Sequence, residues 1–543
     1  MKIKLVKDVR LMIIKVNVIV MSKWLSWIKY LLNYVSNMSN SNNKRLNQNA
    51  SKASFSISAE DLKSKLDSKR PLMLFDIGKK QRYEKEHIPR SLYAVCNEET
   101  KKNIMPKLPN DIEIVLVAEN DEYTKQMAEL MHQIGLRVKY LQGGIRAWKW
   151  NFVGEKFETT NSKNISAFEL KENLDKRQGK NNDLFLLDVR EPYEYAEWHI
   201  DNSVNIPLSE LSKEETLSQI PKDKEIITIC PRGYRATDGK YIMQRCGYNV
   251  KVLEGGLIAW STEIEEAHRE FQITGSNVNL VQLRRIGKGC ISYMIESNGE
   301  MAVIDPVFPI DNYIQTADKL NSTITKIYDT HQHADHISAA KALAEKVTAM
   351  LYKSAYEDYE DKDKDSQSLS SVSIEKLHDG DIHNIGSISL NVIHTPGHTL
   401  GSLSFIIEDK LLFTGDTLFV DNIGRPDLRD KTEEFAEKLY NTIQQKIMKL
   451  PNDILILSAH FEKDVKADEI LASTLGEIKN KNQFLRTNIT KEEFIKRISS
   501  KVMVTPPNFR EIISINKGER PLRSSLSEVF DLEMGPNKCG ISI

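Results

Sequence analysis

The chain has 543 residues, enough for about three or four domains. Its 40% hydrophobic and 28% charged residues are an ordinary globular balance, and 75 Lys+Arg against 76 Asp+Glu leave a net charge of -1, which argues against nucleic acid as a main partner. Five cysteines (Cys96, Cys230, Cys246, Cys290, Cys539) are too few and too scattered for a disulfide framework and point to a reducing, cytoplasmic setting, and no run of roughly 18 uncharged apolar residues demands a membrane.

Residues 1–52 read as an extension and linker. Trp24, Trp27, Ile28, Leu31, Leu32 and Val35 recur at helical spacing after a Lys- and Arg-dotted apolar start, which suits an amphipathic surface helix. The simpler reading is a misassigned start, with Met21 or Met38 as the true first residue, since no small-residue cleavage site follows. Ser36 to Lys52 is Asn/Ser-rich and reads as a solvated linker.

An internal repeat organises the next two hundred residues. Leu74-Phe75-Asp76 matches Leu186-Leu187-Asp188, Glu86-His87-Ile88 matches Trp198-His199-Ile200, and the Gly143–Trp148 segment matches Gly255–Trp260. The offset is 112 each time (188 from 76, 199 from 87, 260 from 148), so a domain of about 110 residues occurs twice, over 53–157 and 158–270. Each copy reads as α/β. Ile112–Val117 and Ile226–Ile229 suit buried parallel strands, and Met127, Leu130, Met131 and Ile134 predict a helix that Gly135 caps. The second copy repeats that helix with Gly239, Ile242, Met243 and Cys246, capped by Gly247.

The same offset sorts the cysteines. Cys246 falls where copy one has Ile134, and Cys96 where copy two has Leu208, so both read as core packing. Cys230 instead ends a strand and opens the turn Cys230-Pro231-Arg232-Gly233-Tyr234-Arg235 before a helix. Backbone N–H groups, a helix N-terminus, Arg232 and Arg235 are expected to lower its pKa and favour an anionic persulfide. Copy one has Ala118 there, followed by Glu119, Asp121 and Glu122, and should not perform this chemistry. These features resemble the rhodanese sulfurtransferase family, which implies that Cys230 carries a sulfane sulfur. His87, His199, Asp76 and Asp188 occur in both copies, including the one without the thiol, and read as structural.

From Gln272 short β-like runs alternate with polar turns, and the acidic, Lys- and Ser-rich stretch Glu357–Ser373 reads as a surface loop. Within 271–543, His331, His333, Asp335 and His336, then His398, Asp416 and His460, each follow an apolar strand-like run. Four strand ends at one edge of a sheet can converge on one point, and burying so many ionisable groups without a metal would be costly. The motifs His331-Gln332-His333-Ala334-Asp335-His336, Thr395-Pro396-Gly397-His398-Thr399 and Thr414-Gly415-Asp416-Thr417 resemble the metallo-β-lactamase superfamily. The resemblance implies an αββα sandwich, so the expected architecture is two rhodanese-like α/β domains followed by that fold.

Two branches of the superfamily fit the ligand inventory. In a dinuclear zinc thioester hydrolase of the glyoxalase II type, His331, His333 and His398 would hold one Zn(2+). Asp335, His336 and His460 would hold a second, bridged by Asp416. In the persulfide dioxygenase branch, one Fe(2+) per chain would sit on His331, His398 and Asp416 with three open positions. His333, Asp335, His336 and His460 would then surround it. Gly289-Cys290-Ile291-Ser292-Tyr293 with Val303–Pro306, Gly424–Leu428 and the tail (Phe494, Thr505–Asn508, Gly535–Cys539) resemble the second branch. Its implied reaction is oxidation of a low-molecular-weight thiol persulfide by O2 to sulfite and free thiol, with thiosulfate or another sulfane-sulfur donor feeding Cys230. Cys290 is expected to pack in a sheet, Cys539 to lie in a flexible tail where it could relay sulfur, and Arg425 to anchor an anionic substrate or serve a structural salt bridge. The carrier thiol, the oligomeric state and the role of the thiol-less copy stay open.

Overall fold

The computed structural model describes residues 55–67, 72–96, 105–152, 164–176, 183–359, 372–428, 431–461, 468–485, 489–500, 505–506, 508–522 and 526–541. The N-terminal extension, residues 360–371 of the acidic stretch and Pro507 of the tail motif lie outside them. Among the described residues no helix is long and apolar enough to cross a membrane.

Both repeats form parallel α/β sheets. In the first, strands Ser56–Ile57, Arg137–Leu141, Glu113–Val117, Leu72–Asp76 and Leu92–Tyr93 lie side by side in that order. In the second, Val250–Val252, Glu225–Ile229, Leu184–Asp188 and Val204–Asn205 repeat the order, with an Ile165–Leu253 bridge where copy one has its first pairing. The runs are apolar on both faces because helices cover both sides. The expected helices form as Asp121–Gln133 and Tyr234–Arg245, and Gly135 and Gly247 close them with positive φ of 92° and 84°. Ile134 differs from expectation: it is the capping residue just past the helix end and is 41% exposed. Cys96 and Cys246 pack against the shared core of the two copies.

The last half is a sandwich of two mixed sheets. Seven strands run in sequence order from Ile264–Ile273 to Ile374–Leu377, the first three pairs closing as antiparallel neighbours up to Glu300–Ile304 and the other three parallel. Asn298-Gly299, both with positive φ, makes the two-residue turn whose twist suits a hairpin. Parallel pairing then needs crossovers, which helices Asp311–Lys319 and Ala340–Val347 supply. Six further strands, Ile382–Ile385 to Ser473–Thr474, form the second sheet. An apolar layer containing Tyr293, Tyr328, Phe405 and Phe413 fills the space between the sheets. Outer helices bury Leu343 on one side and Leu439, Ile478 and Phe494 on the other. This is the expected four-layer arrangement, and the whole is a multidomain α/β protein.

Candidate metal centre and reactive-thiol loop

Strand Thr323–Tyr328 of the first sheet delivers the loop His331–His336, while Ile388–His394, Leu411–Gly415 and Leu455–Ser458 of the second deliver His398, Asp416 and His460. The site therefore spans both sheets rather than one edge. All seven side chains are buried.

His331, His398 and Asp416 form one compact group. Their Nε2 atoms lie 3.6 Å and 3.4 Å from Asp416 Oδ2. The tautomers are fixed from behind. His398 Nδ1 donates to the Arg425 carbonyl at 2.7 Å, so Nε2 keeps its lone pair. The Thr330 hydroxyl donates to Asp305 Oδ2 at 2.7 Å and therefore accepts from His331 Nδ1 at 2.9 Å. His331 Nε2 and both Asp416 oxygens are buried with no hydrogen-bond partner. Aimed at one point and otherwise unsatisfied, they fit a shared cation.

His333 is not in that group. Its Nε2 lies 3.2 Å from Asp305 Oδ1, and Asp305, Asp329 and His333 make a separate buried cluster. Asp335, His336 and His460 form a third: Asp335 Oδ1 is 3.1 Å from His336 Nδ1 and Oδ2 is 3.0 Å from His460 Nε2. Burial alone would raise Asp335, yet the two imidazoles hold it well below the usual carboxylate range. Burial opposes charge on His336, but Asp335 beside it pushes the imidazole up to about 10. His460 also approaches Asp416, Nδ1 to Oδ1 at 2.7 Å.

Two thiols that sequence reasoning placed elsewhere line this pocket. Cys290, expected only to pack in a sheet, is paired across an isolated bridge with His460 and donates from Sγ to Asp335 Oδ2 at 3.1 Å. Cys539, expected in a flexible tail, is fully buried within reach of Asp416 and His460, its N–H and carbonyl bonded to Asn537 and Arg425. Burial pushes the Cys539 thiol well up. Arg425 is held by Asp427, 2.7 Å away, and by the Lys538 carbonyl, so it is structural rather than a free anion anchor. Sequence reasoning also missed Asn516 and Glu533. Asn516 Nδ2 donates to the His333 and His336 carbonyls, and Glu533 Oε1 accepts from the Ile337 N–H. Their positions, some 180 residues from the motif, carry no local signal.

Cys230 ends strand Glu225–Ile229 and faces the first turn of the following helix, where the Ala236 N–H donates to Sγ at 3.3 Å. Gly256 crosses the loop with φ of 63°, and a Cβ there would sit 2.2 Å from the Cys230 carbonyl oxygen. The expected lowering of the thiol pKa is reversed: burial raises it, against the opposing pull of the Ala236 N–H and Arg235. Both arginines are taken up by carboxylates. Arg235 makes a two-pronged pair with Glu194 at 2.7 Å, and Arg232 pairs with Asp531 of the C-terminal helix Leu526–Leu532. In copy one Ala118 occupies the thiol position and Glu119 pairs with Arg82. His87 and His199 stack on Tyr83 and Tyr195 and bond their carbonyls, a packing role in both copies.

Comparison with known proteins agrees with this division. The model of the metallo-beta-lactamase superfamily matches residues 286–460, and that of the rhodanese-like domain matches 58–150 and 166–263. A hydroxyacylglutathione hydrolase of Prochlorococcus marinus (strain MIT 9312) is 30% identical over 242 residues, covering 44% of this chain and 88% of its own length. Hydroxyacylglutathione hydrolase GloC of Haemophilus influenzae is 27% identical over 222 residues, 39% of this chain and 99% of its own. The crystal structure of ETHE1 from Myxococcus xanthus shows 28% identity over 44% of this chain and 96% of that one, with a TM-score of 0.37.

Proposed function

This chain belongs to the metallo-beta-lactamase superfamily and carries two rhodanese-like domains, and we propose that it oxidises a low-molecular-weight thiol persulfide at one iron while Cys230 transfers sulfane sulfur. The overall change is R–S–SH + O2 + H2O giving R–SH, sulfite and two protons. The observation that carries this reading is the compact group of two imidazoles and one carboxylate, His331, His398 and Asp416, with His333 grouped instead with Asp305 and Asp329. Ferrous iron on that set would supply open positions at which sulfur and dioxygen meet. The protein's part is orientation and exclusion of water. Asp305 acts through Thr330 on His331, the Arg425 carbonyl acts on His398, and burial keeps the site dry.

At Cys230 the thiolate attacks the outer sulfur of thiosulfate. The S–S bond breaks, sulfite leaves with the bonding pair, and a cysteine persulfide remains. The Ala236 N–H steadies negative charge on Sγ. Tethering a sulfur-transferring thiol to a persulfide-oxidising site raises the local supply of the shared metabolite.

A second reading, a dinuclear zinc thioester hydrolase, is favoured by the complete seven-residue inventory and by relatives named hydroxyacylglutathione hydrolase. Anaerobic purification, metal quantitation and an oxygen-electrode assay across several persulfides separate the two. Iron at His331, His398 and Asp416 with persulfide-dependent oxygen uptake supports oxidation. Thioester cleavage by a zinc-loaded form without oxygen uptake overturns it.

A further inference from the structure

The Cys230 loop is met by side chains from both neighbouring domains. Lys107 of copy one lies 3.4 Å from Glu194, the carboxylate that holds Arg235. Asp531, on the C-terminal helix Leu526–Leu532, holds Arg232, and Ser527 of the same helix accepts from Arg232 Nη2 at 3.2 Å. The two arginines differ in what an incoming ligand can reach. The side chains of Arg235 and Glu194 are 7% and 18% exposed, whereas those of Arg232 and Asp531 are 35% and 49% exposed. Arg232 is thus the accessible cation of the loop, and a carboxylate already sits on it.

An ion pair between two mobile surface side chains contributes little. This one is placed by buried structure at both ends. Two residues past Asp531, Glu533 is held by Arg285 at 2.5 Å, and its carbonyl accepts from Lys288. Met534 packs against the core cluster of copy two that contains Trp260. Gly287 comes so close to that tryptophan that a Cβ would sit 2.4 Å from ring atom Cδ1. At the other end, Arg232 belongs to the turn between Cys230 and its helix, fixed by the Ala236 N–H on Sγ at 3.3 Å. The carboxylate of one domain is therefore held at the sulfur-handling loop of the other.

We propose that Asp531 is a specificity-determining residue of the Cys230 site, lent by the C-terminal segment of the metal-centre domain: it occupies Arg232 in place of an anionic sulfur donor and so selects against donors of high negative charge. The proposal rests on Cys230 being a sulfur-transferring thiol. A dianion such as thiosulfate has to take Arg232 from Asp531 and then lie beside the displaced carboxylate, a like-charge contact that works against it. A singly charged persulfide incurs less of both costs. The metal-centre domain would in this way tune which sulfane compounds the neighbouring thiol accepts.

The test compares two reagents at one thiol of the full chain. Iodoacetate is an anion, iodoacetamide is neutral and of nearly the same shape, and peptide mass spectrometry reads how fast each alkylates Cys230. In Asp531→Asn the iodoacetate rate should rise roughly threefold relative to the iodoacetamide rate, the scale of an exposed ion pair. Added salt should narrow the difference between variant and unaltered chain. In Arg232→Gln the relative iodoacetate rate should fall. An Asp531→Asn chain that reacts faster with both reagents alike would show a mere latch on the loop and overturn the proposal, as would an unchanged ratio. In turnover, Asp531→Asn should lower the KM for thiosulfate about threefold, the change falling in KM rather than kcat; a KM that does not move also overturns the proposal. The alkylation ratio is read without any sulfur transfer. A chain that shows the expected ratio but takes no sulfur from thiosulfate would therefore sink the reading of Cys230 while supporting the charge selection at Asp531.

Discussion

Arg285 Nη1 and Glu533 Oε2 meet at 2.5 Å with both side chains fully buried, joining the first sheet of the sandwich to the C-terminal segment 248 residues later. Glu533 also receives the Ile337 N–H next to His336, and Lys288 donates to its carbonyl. One carboxylate thus ties the His331–His336 loop to the tail that contacts the Cys230 loop through Asp531. Glu533→Ala would leave a buried guanidinium unpaired, at a cost of roughly 3–5 kcal/mol. Denaturant unfolding should show that loss, and metal retention should weaken with it; a change within about 0.5 kcal/mol, the usual scatter of surface substitutions, would contradict the role given to the pair.

His398→Ala removes one of the three candidate ligands of the proposed iron. Iron content should fall well below one equivalent and persulfide-dependent sulfite formation should disappear, while thiosulfate-linked sulfur transfer at Cys230 stays near its original rate. Sulfite formation that survives this change would mean the metal group is structural.

Cys230→Ser should do the converse, keeping oxygen uptake and losing sulfur transfer. Gly256→Ala offers an independent check, since the added Cβ would sit 2.2 Å from the Cys230 carbonyl oxygen and must displace the loop. It should lower sulfur transfer at least tenfold, an effect of about 1.4 kcal/mol on the barrier. Loss of both activities in Cys230→Ser would show that the two centres are not separable.

Burial opposes ionisation of Glu194, but Arg235 holds its carboxyl down at about 2. The folded chain keeps Glu194 charged where an unfolded one, with its carboxyl near 4.5, takes up a proton. The pair's stabilisation is therefore complete above about pH 4.5 and is lost as pH falls toward 2. The gap in urea midpoint between the unaltered chain and Glu194→Gln should be wider at pH 7 than at pH 3. A gap independent of pH would rule out the ion pair as its source.

Asp238, on the helix after the Cys230 loop, behaves oppositely: burial pushes its carboxyl up to about 8. The folded chain holds a proton that the unfolded chain releases near 3.8, so stability declines as pH rises through that window. Asp238→Asn should gain stability relative to the unaltered chain as pH goes from 4 to 8, measured by thermal or urea midpoint. A gain that shrinks over that range would refute the assignment.

The sequence by itself determined what depends on neighbours along the chain. The 112-residue offset exposed the duplication, and apolar runs marked the strands that carry His331, His398, Asp416 and His460. The strand–Cys230–turn–helix order was legible for the same reason: these features repeat at periods fixed by backbone geometry. Only the tertiary structure decided which chemical groups share a point. Cys290 beside Asp335, Cys539 beside Asp416, His333 turned to Asp305 and Arg232 spent on Asp531 are contacts between residues far apart in sequence or set by side-chain direction. Such contacts arise from sheet pairing across the sandwich and from docking of the C-terminal segment, which no local spacing encodes. The Cys230 thiol shows the physical difference most directly. Its arginine-rich loop predicted an acidic thiol, but burial raises its pKa instead, against the opposing pull of the loop N–H groups and Arg235.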